Sequence, residues 1–342
     1  AYHDEALWLK LSGGGLAFAQ DNFSIDSIRT RIKEMLQALN LPVIPIGNHN
    51  NVSGNKLPVV RIATYQDYQR HAGVMRDIWA KRALLEQGLI RPGEEFRVPG
   101  YCAYCRQQVD FHVDYEYSSP PIDGTQQPNW RERLCCPICQ LNNRMRASIQ
   151  IFAEQIKPKV DDSIYMTEHV TPLAAVMRRL YANTIGSEFL GDRVPLGAMN
   201  SQGVRNEDIT RLTFPDESFH HILSFDVFEH VPNYLAAFAE CHRCLKPGGT
   251  LLFSIPFKLD APVNIARARL DSNGQIEYLL EPEYHGDPIN TEGGVLSFWD
   301  FGWELMDQMR SIGYTDVTGL FYHSFDFGYL GFEQVLFMAR RG

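Results

Sequence analysis

Long hydrophobic runs are missing from this chain of 342 residues. No stretch reaches the roughly 18 consecutive apolar side chains of a membrane-crossing helix, so no membrane span is expected. Basic residues are short as well. Lys and Arg number 32 against 41 Asp and Glu, a formal net charge of −9, which argues against a general nucleic-acid binder while leaving room for a local basic patch. Nothing at the start has the form of a secretory signal, because residues 1–20 are acidic and broken by Gly13-Gly14-Gly15. Cysteine is scarce and clustered: of seven, six fall in Cys-x-x-Cys pairs and the odd one, Cys135, abuts a pair. Without a secretory signal, that pattern points to metal binding in a reducing cytoplasm more than to disulfides. What is present, 44% apolar and 21% charged residues, describes an ordinary soluble globular protein. The length exceeds what one core usually serves, so two domains or one elaborated domain are expected.

The most regular grammar runs from Asn206 to Phe257. Two short apolar runs, Ile222-Leu223-Ser224-Phe225 and Leu251-Leu252-Phe253-Ser254-Ile255, flank a helical pattern and a Lys-Pro-Gly-Gly turn, which reads as strand, helix, strand. Pro232 fits the first turn of the helix, Tyr234, Phe238, Cys241 and Leu245 share an apolar face, and Pro247-Gly248-Gly249 stops it. Such a unit makes two parallel strands whose carboxyl ends face a ligand-binding crevice. Asp208, Asp226, Glu229 and His230 fall at those ends.

Three phrases here, Asp208 to Phe219 (DITRLTFPDESF), Ser224 to Val231 (SFDVFEHV) and Leu245 to Leu251 (LKPGGTL), closely resemble the later motifs of the class I S-adenosylmethionine-dependent methyltransferases, type 11 branch. The resemblance covers residues 160 to 342. It implies an α/β fold, a seven-stranded doubly wound, Rossmann-like methyltransferase domain over 158–342, with S-adenosylmethionine as cofactor. The family's usual first motif is a glycine-rich loop after an acid; here Thr167-Glu168-His169-Val170-Thr171-Pro172 stands in its place, and without glycine the backbone approaches a cofactor less closely. The helix start and the Thr171 hydroxyl can still receive a methionyl carboxylate. The resemblance makes Glu168 the first-motif acid and Glu188, 20 residues on, the carboxylate for the ribose hydroxyls, with Phe189 beside it. Asp208 would accept from the adenine amino group, Ile209 would supply a backbone contact, and Asp226 would line the crevice.

Residues 97–146 are of another kind. Cys102-x-x-Cys105 and Cys136-x-x-Cys139 lie about 30 residues apart around a strand-like segment, the ligand spacing of a zinc ribbon with four thiolates on Zn²⁺. A closed site of this type is structural, and metal binding would supply folding energy to a segment with little core of its own. An Fe–S cluster or redox pair is the alternative. Asn142 to Arg146 (NNRMR) reads as an anion site or as solvated charges at a helix start. Residues 1–96 form an amino-terminal helical region, with helices expected over Ile25–Leu39 and Tyr65–Gly88, serving as a support or a homodimer surface. Cys241 and Cys244, on the helix, read as buried structural thiols.

Two histidines are the candidate catalytic groups. His230 follows the fourth strand of the domain, where this fold presents reacting groups, and histidine accepts a proton at neutral pH. The second pair, His285 and Asp287, lies in a 44-residue insertion after the fifth strand, a length that implies a functional lid. Tyr284, Arg267 and Arg269 are read as holding a polar or anionic substrate. The expected reaction is in-line transfer of the sulfonium methyl to an oxygen of a small polar metabolite or sugar. The alternatives are a thiol or thioether acceptor, an RNA substrate, or a catalytically inactive binding module that docks a partner through its ribbon.

Overall fold

Leu251 and Phe253 pack on one side of their strand and Leu252 on the other, and all three are fully buried, so the sheet that holds them is covered on both faces. A computed structural model describes residues 56–342 apart from positions 92, 94, 123, 287, 288 and 290–292. The helix expected over Ile25–Leu39 lies outside the described residues, as does Asp287.

Among the described residues the central sheet has eight strands. In chain order these are β1 (Val59–Ile62), then, after two strands of the cysteine-rich segment and a short third, β5 (Ile164–Met166), β6 (Thr184–Glu188), β7 (Arg205–Asn206), β8 (Phe219–Phe225), β9 (Leu245–Ser254), β10 (Tyr314–Ser324) and β11 (Tyr329–Arg341). The intervening strands are β2 (Phe96–Cys102), β3 (Gln107–Val113) and β4 (Leu134–Cys135). The sheet runs β7-β6-β5-β8-β9-β11-β10-β1. Strands β5 to β9 are parallel to their neighbours among themselves, while β11 lies antiparallel between β9 and β10. Seven of these strands are the doubly wound set the sequence implies. The eighth is an addition: Val59–Ile62 pairs antiparallel with β10 in register Val59 to Tyr322 and covers what would be an open edge.

Helices fill both faces. On one lie α5 (Tyr234–Cys244) and α6 (Glu304–Ile312), with α1 (Tyr65–Leu89) stacking Tyr68 on Trp303 and Phe321. On the other lie α3 (Asn143–Ile151) and α4 (Pro172–Leu180). Helix α5 is capped by Asn233, whose side chain accepts from the Ala236 amide, so Pro232 stands before the helix, not in its first turn. The Lys-Pro-Gly-Gly turn belongs to the start of β9. Tyr234, Phe238, Cys241 and Leu245 are all buried, and Cys244 with them, as core thiols should be. Leu180, the last residue of α4, is exposed. Ahead of α6, Trp299–Asp300 is extended and pairs with Ile265–Ala266.

The cysteine-rich segment is built onto this sheet. Strands β2 and β3 form a hairpin, β4 pairs with β3, and the one-turn helix α2 (Trp130–Arg133) precedes β4. Phe111 of β3 sits against the turn joining β10 and β11, so closely that a Cβ on Gly328, at φ +61, would lie 2.4 Å from its ring. Only glycine fits there. Arg146, fully buried, donates to the carbonyls of Phe327 at 2.7 Å and Gly328 at 2.9 Å and packs its guanidinium 3.9 Å from the Phe111 ring centroid.

Candidate active site

The chain starts the sheet at β5, winds outward to β7 and returns to β8 beside β5, so the crevice of a doubly wound sheet opens at the carboxyl ends of β5 and β8. Thr167, just past β5, ties the two ends together by donating its hydroxyl to Ser224 at 2.9 Å. Next in the chain, Glu168 is buried, and its Oε1 is sealed from solvent with no hydrogen-bond partner. Burial pushes its carboxyl up to about 7, against the opposing pull of Thr171 and Arg144. The loop then folds back on β6: Glu188 Oε1 accepts from the amides of His169 at 2.6 Å and Val170 at 2.9 Å. Close approach of loop and strand is made possible by Gly186, where a Cβ would lie 2.6 Å from the Glu168 carbonyl oxygen. Thr171 caps α4, its hydroxyl accepting from the Ala174 amide.

A pH prediction follows from Glu168. Its folded value lies above the unfolded one, so the native chain holds a proton that the unfolded chain releases, and the associated stability is lost as pH rises from about 4.5 through about 7. Between pH 5 and 8, melting of the ligand-free protein should show a fall that Glu168→Gln removes, worth roughly 3 kcal/mol at about 1.4 kcal/mol for each tenfold change in proton affinity. Equal slopes for the two proteins would show that the carboxyl is not buried.

Farther along the rim, Asp208 accepts from Thr210 through Oδ1 and from Arg211 Nε at 3.0 Å through Oδ2, the pattern of a turn-forming aspartate. Ile209 is buried and Phe189 is exposed. Asp226, directly after β8, takes a left-handed backbone conformation at φ +53. Both its carboxylate oxygens lie 2.8 Å from Arg131 Nη2, Arg144 Nε is 3.2 Å away, and Ser254 donates to Oδ1 at 2.7 Å. Burial works to raise this carboxyl, but the Arg131 and Arg144 guanidiniums outweigh it and hold it well below the usual carboxylate range. The two arginines of Asn142–Arg146 are therefore neither a free anion site nor solvated: Arg144 is paired with Asp226 and Glu132, and Arg146 caps carbonyls.

The two candidate histidines, 55 residues apart in sequence, meet. The insertion after β9 folds as three small ladders, one of which pairs Tyr284–His285 with Val295–Leu296 and lies on the turn Phe228–His230. Their rings pack edge to face at 5.0 Å between centroids. Between them is Glu229, 0% exposed, with neither carboxylate oxygen hydrogen-bonded. His285 Nδ1 is 3.5 Å and His230 Nε2 is 3.7 Å from Glu229 Oε1. The outer nitrogens are engaged elsewhere: His230 Nδ1 with the Leu296 carbonyl at 2.9 Å, His285 Nε2 with Glu283 at 3.1 Å. Glu229 and then Glu283 raise the His285 pKa to about 9, against its burial. Sequence reasoning placed Glu229 at a strand end and gave it no role; its adjacency to His230 was the available signal. Arg267 is neutralised by Asp300 at 2.8 Å and Glu283 at 3.1 Å, Arg269 pairs with Glu277, and Tyr284 contacts the Tyr278 hydroxyl, so the insertion's arginines and Tyr284 are committed within it.

Four cysteines converge as their spacing implies. Cys102 and Cys139 sulfurs are 3.9 Å apart, Cys105 and Cys136 3.8 Å, and all four lie within 4.8 Å of one another. These separations are too long for disulfides and equal the roughly 3.8 Å edge of a tetrahedron with 2.3 Å metal–sulfur bonds. Cys135 points away, its thiol donating to the Glu132 carbonyl.

The sequence matches a methyltransferase domain family over residues 167–253. It is similar to the ubiquinone biosynthesis O-methyltransferase of Cereibacter sphaeroides strain KD131, with 31% identity over 170 residues spanning 43% of this chain and 68% of that protein. The enzyme of the same name from Dinoroseobacter shibae is 26% identical over the same shares. Among solved structures, an S-adenosylmethionine-dependent methyltransferase from Mesorhizobium loti aligns over 57% of this chain and 98% of its own at 15% identity and TM-score 0.34. A 1,6-didemethyltoxoflavin-N1-methyltransferase from Burkholderia thailandensis, solved with S-adenosylhomocysteine, aligns over 58% and 77% at 14% identity and TM-score 0.33.

Proposed function

From a chain that belongs to the class I S-adenosylmethionine-dependent methyltransferases, we propose an enzyme that methylates an oxygen atom of a small hydroxylated acceptor. The observation that carries this choice is the convergence of His230 and His285 on a buried, unpartnered Glu229 at the mouth of the crevice. A thiol needs little help to attack a sulfonium methyl; a hydroxyl must shed its proton, and this cluster is machinery for that. The cofactor, when bound, supplies an electrophilic methyl group. The chain's own residues do the rest. Glu168 Oε1, the orphaned acceptor at the end of β5, suits the cofactor's ammonium group. Glu188 takes a ribose hydroxyl while keeping the loop at His169 and Val170 in place. Thr171 and the start of α4 face the methionyl carboxylate, and Asp208, Ile209 and Phe189 border the adenine. The acceptor's hydroxyl oxygen would receive the methyl group that the cofactor supplies, and its proton would leave at the Glu229–His230–His285 cluster, where His230 Nε2 is the nitrogen placed to take it. Alignment in line does most of the work.

In this reading the 97–146 segment, with Cys102, Cys105, Cys136 and Cys139 on a structural Zn²⁺, is a platform for the 158–342 methyltransferase domain. The ribbon sits against the crevice through the Arg131–Asp226 and Arg144–Asp226 pairs, and a reducing cytoplasm suits its thiolates. Among the described residues, no helix is long and apolar enough to cross a membrane.

Calorimetric titration with S-adenosylmethionine, followed by assay of S-adenosylhomocysteine release over hydroxyl and thiol acceptors, tests the proposal. Glu188→Ala should weaken cofactor binding by roughly 10- to 100-fold, the worth of hydrogen bonds to a charged group. Turnover confined to thiols would move the acceptor from oxygen to sulfur. Absence of cofactor binding would leave only a docking role.

A further inference from the structure

The Glu229, His230 and His285 cluster has features that neither a simple base nor a packing contact requires. A carboxyl group with no solvent exposure and no hydrogen bond to either oxygen is a pair of acceptors awaiting a partner. The two nearest nitrogens stand 3.5 and 3.7 Å from its Oε1, beyond a good hydrogen bond. Those lengths exceed by only a few tenths of an ångström the separation of about 3.0 to 3.4 Å between atoms that share a cation at about 2.1 Å, a difference that small side-chain shifts close. One ligand atom from each of the three residues lies within 4.8 Å of the others.

The surroundings of the rings add an independent argument. His230 Nδ1 faces the Leu296 carbonyl at 2.9 Å, which fixes the proton on that nitrogen and leaves Nε2, turned toward Glu229, with its lone pair. His285 repeats the arrangement with its nitrogens exchanged: Nε2 faces Glu283 at 3.1 Å, and Nδ1 turns inward. Glu283 is itself held by Arg267 at 3.1 Å. An outer acceptor that orients each imidazole is what metal-ligating histidines regularly have.

We propose that Glu229, His230 Nε2 and His285 Nδ1 are the three protein ligands of one divalent cation, with the remaining positions open to oxygens of the methyl acceptor. This rests on the hydroxyl-acceptor reading above and gives it a mechanism. Two histidines and one carboxylate suit Mn²⁺, Fe²⁺, Co²⁺ or Zn²⁺, and leave room for an acceptor that offers adjacent hydroxyls. A hydroxyl coordinated there acidifies, releases its proton to water, and attacks the methyl group as an alkoxide held in place. The insertion thereby earns its length, since it delivers the third ligand from a strand 55 positions beyond the second.

Mn²⁺ is the probe, because the hard ion avoids the four-thiolate site. Titrated into the zinc-loaded full chain in otherwise metal-free buffer and followed by the paramagnetic resonance of the free ion, wild type should take up one equivalent. His285→Ala and Glu229→Gln should each weaken uptake at least about 10-fold. His285 lies on an outer ladder, so its variant decides the matter if Glu229→Gln does not fold. No uptake by wild type, or uptake unchanged in His285→Ala, overturns the proposal. Cofactor binding measured in the same buffer separates the two readings: binding of S-adenosylmethionine without cation uptake removes the cation site and leaves methyl transfer standing, whereas cation uptake with turnover of thiols alone supports the site and removes the hydroxyl acceptor.

Discussion

Serine in place of Cys136 is expected to empty the four-sulfur site of zinc and to unravel the cysteine-rich segment from the sheet. The segment has little else to hold it. Its apolar cluster is small, and one member, Leu330, belongs to β11. A structural zinc contributes on the order of 10 kcal/mol to the folding of such a module, comparable with the whole stability of an ordinary domain. The loss should spread. Phe111 and Arg146 clasp the turn at Phe327-Gly328, and Tyr101 donates its amide to the Asp326 carbonyl at 2.7 Å, so freeing the ribbon exposes the end of the β10–β11 hairpin. Elemental analysis should find one zinc per wild-type chain and close to none in Cys102→Ser or Cys136→Ser, with cleavage by added protease concentrated between residues 96 and 142. Cys135→Ser is the control, because that thiol only donates to a backbone carbonyl; it should keep its metal. Full zinc content in Cys136→Ser, or loss in Cys135→Ser, would mean the wrong four sulfurs have been named.

What could be read in the residues, and what could not, divides along physical lines. Local rules carried the strands and hooks. Ile222 and Leu223, or Leu251 and Leu252, reach opposite faces because successive side chains must, and a Cys-x-x-Cys hook closes on one ion because two residues suffice to turn the chain. Element ends were less legible: α3 begins at Asn143 under an Asn142 cap, and a side-chain cap depends on a backbone angle that periodicity does not register. Val59–Ile62 is four residues with no alternation of its own, and only the open edge of β10 makes it a strand. The site followed the same division. His230 and His285 were legible as residue types, one after the fourth strand of the domain and one in the insertion after the fifth. Their meeting was not, because it depends on how the insertion folds back on Phe228–His230. Glu229 was placed at a strand end facing the crevice but given no role, and its burial is a property of the packed structure alone. The arginines were misread for the same reason. A guanidinium beside a cysteine hook looks solvated until a carboxylate 82 positions away in sequence is brought within 3.2 Å.

That carboxylate carries the second large effect. Asp226→Ala is expected to destabilise the protein by about 3 to 5 kcal/mol, because Arg144, with only 14% of its side chain exposed, would be left charged without this partner, and breaking a largely buried pair costs more than the pair contributed. Arg144 keeps Glu132 as a partner at 3.0 Å and Arg131 is partly exposed, which sets the loss at the lower end of the range. Arg144→Met should cost a similar amount by stranding Asp226, whereas Arg144→Met combined with Asp226→Asn should cost less than the sum, since neither charge then remains; chemical denaturation of the four proteins closes the cycle. The pH dependence has a fixed sign. Asp226 is held below its ordinary value, so its contribution is fully present above the unfolded carboxyl's pKa of about 4 and fades only as pH falls through the lower folded value. The gap in stability between wild type and Asp226→Asn should therefore be constant from pH 8 to 5 and narrow below about pH 4. A gap that closes near neutrality would place Asp226 outside the ion-pair network. Asp226 also stands in the left-handed region, a conformation that costs on the order of 1 kcal/mol or more for a residue other than glycine. Asp226→Gly relieves that strain and removes the charge together, and if it proves less damaging than Asp226→Ala, the difference measures what the backbone bears to point this carboxylate at the two arginines. The network joins the ribbon to the crevice between β5 and β8, so cofactor binding by Asp226→Asn, measured where the variant is still folded, reports whether the platform also shapes the methyl-donor site.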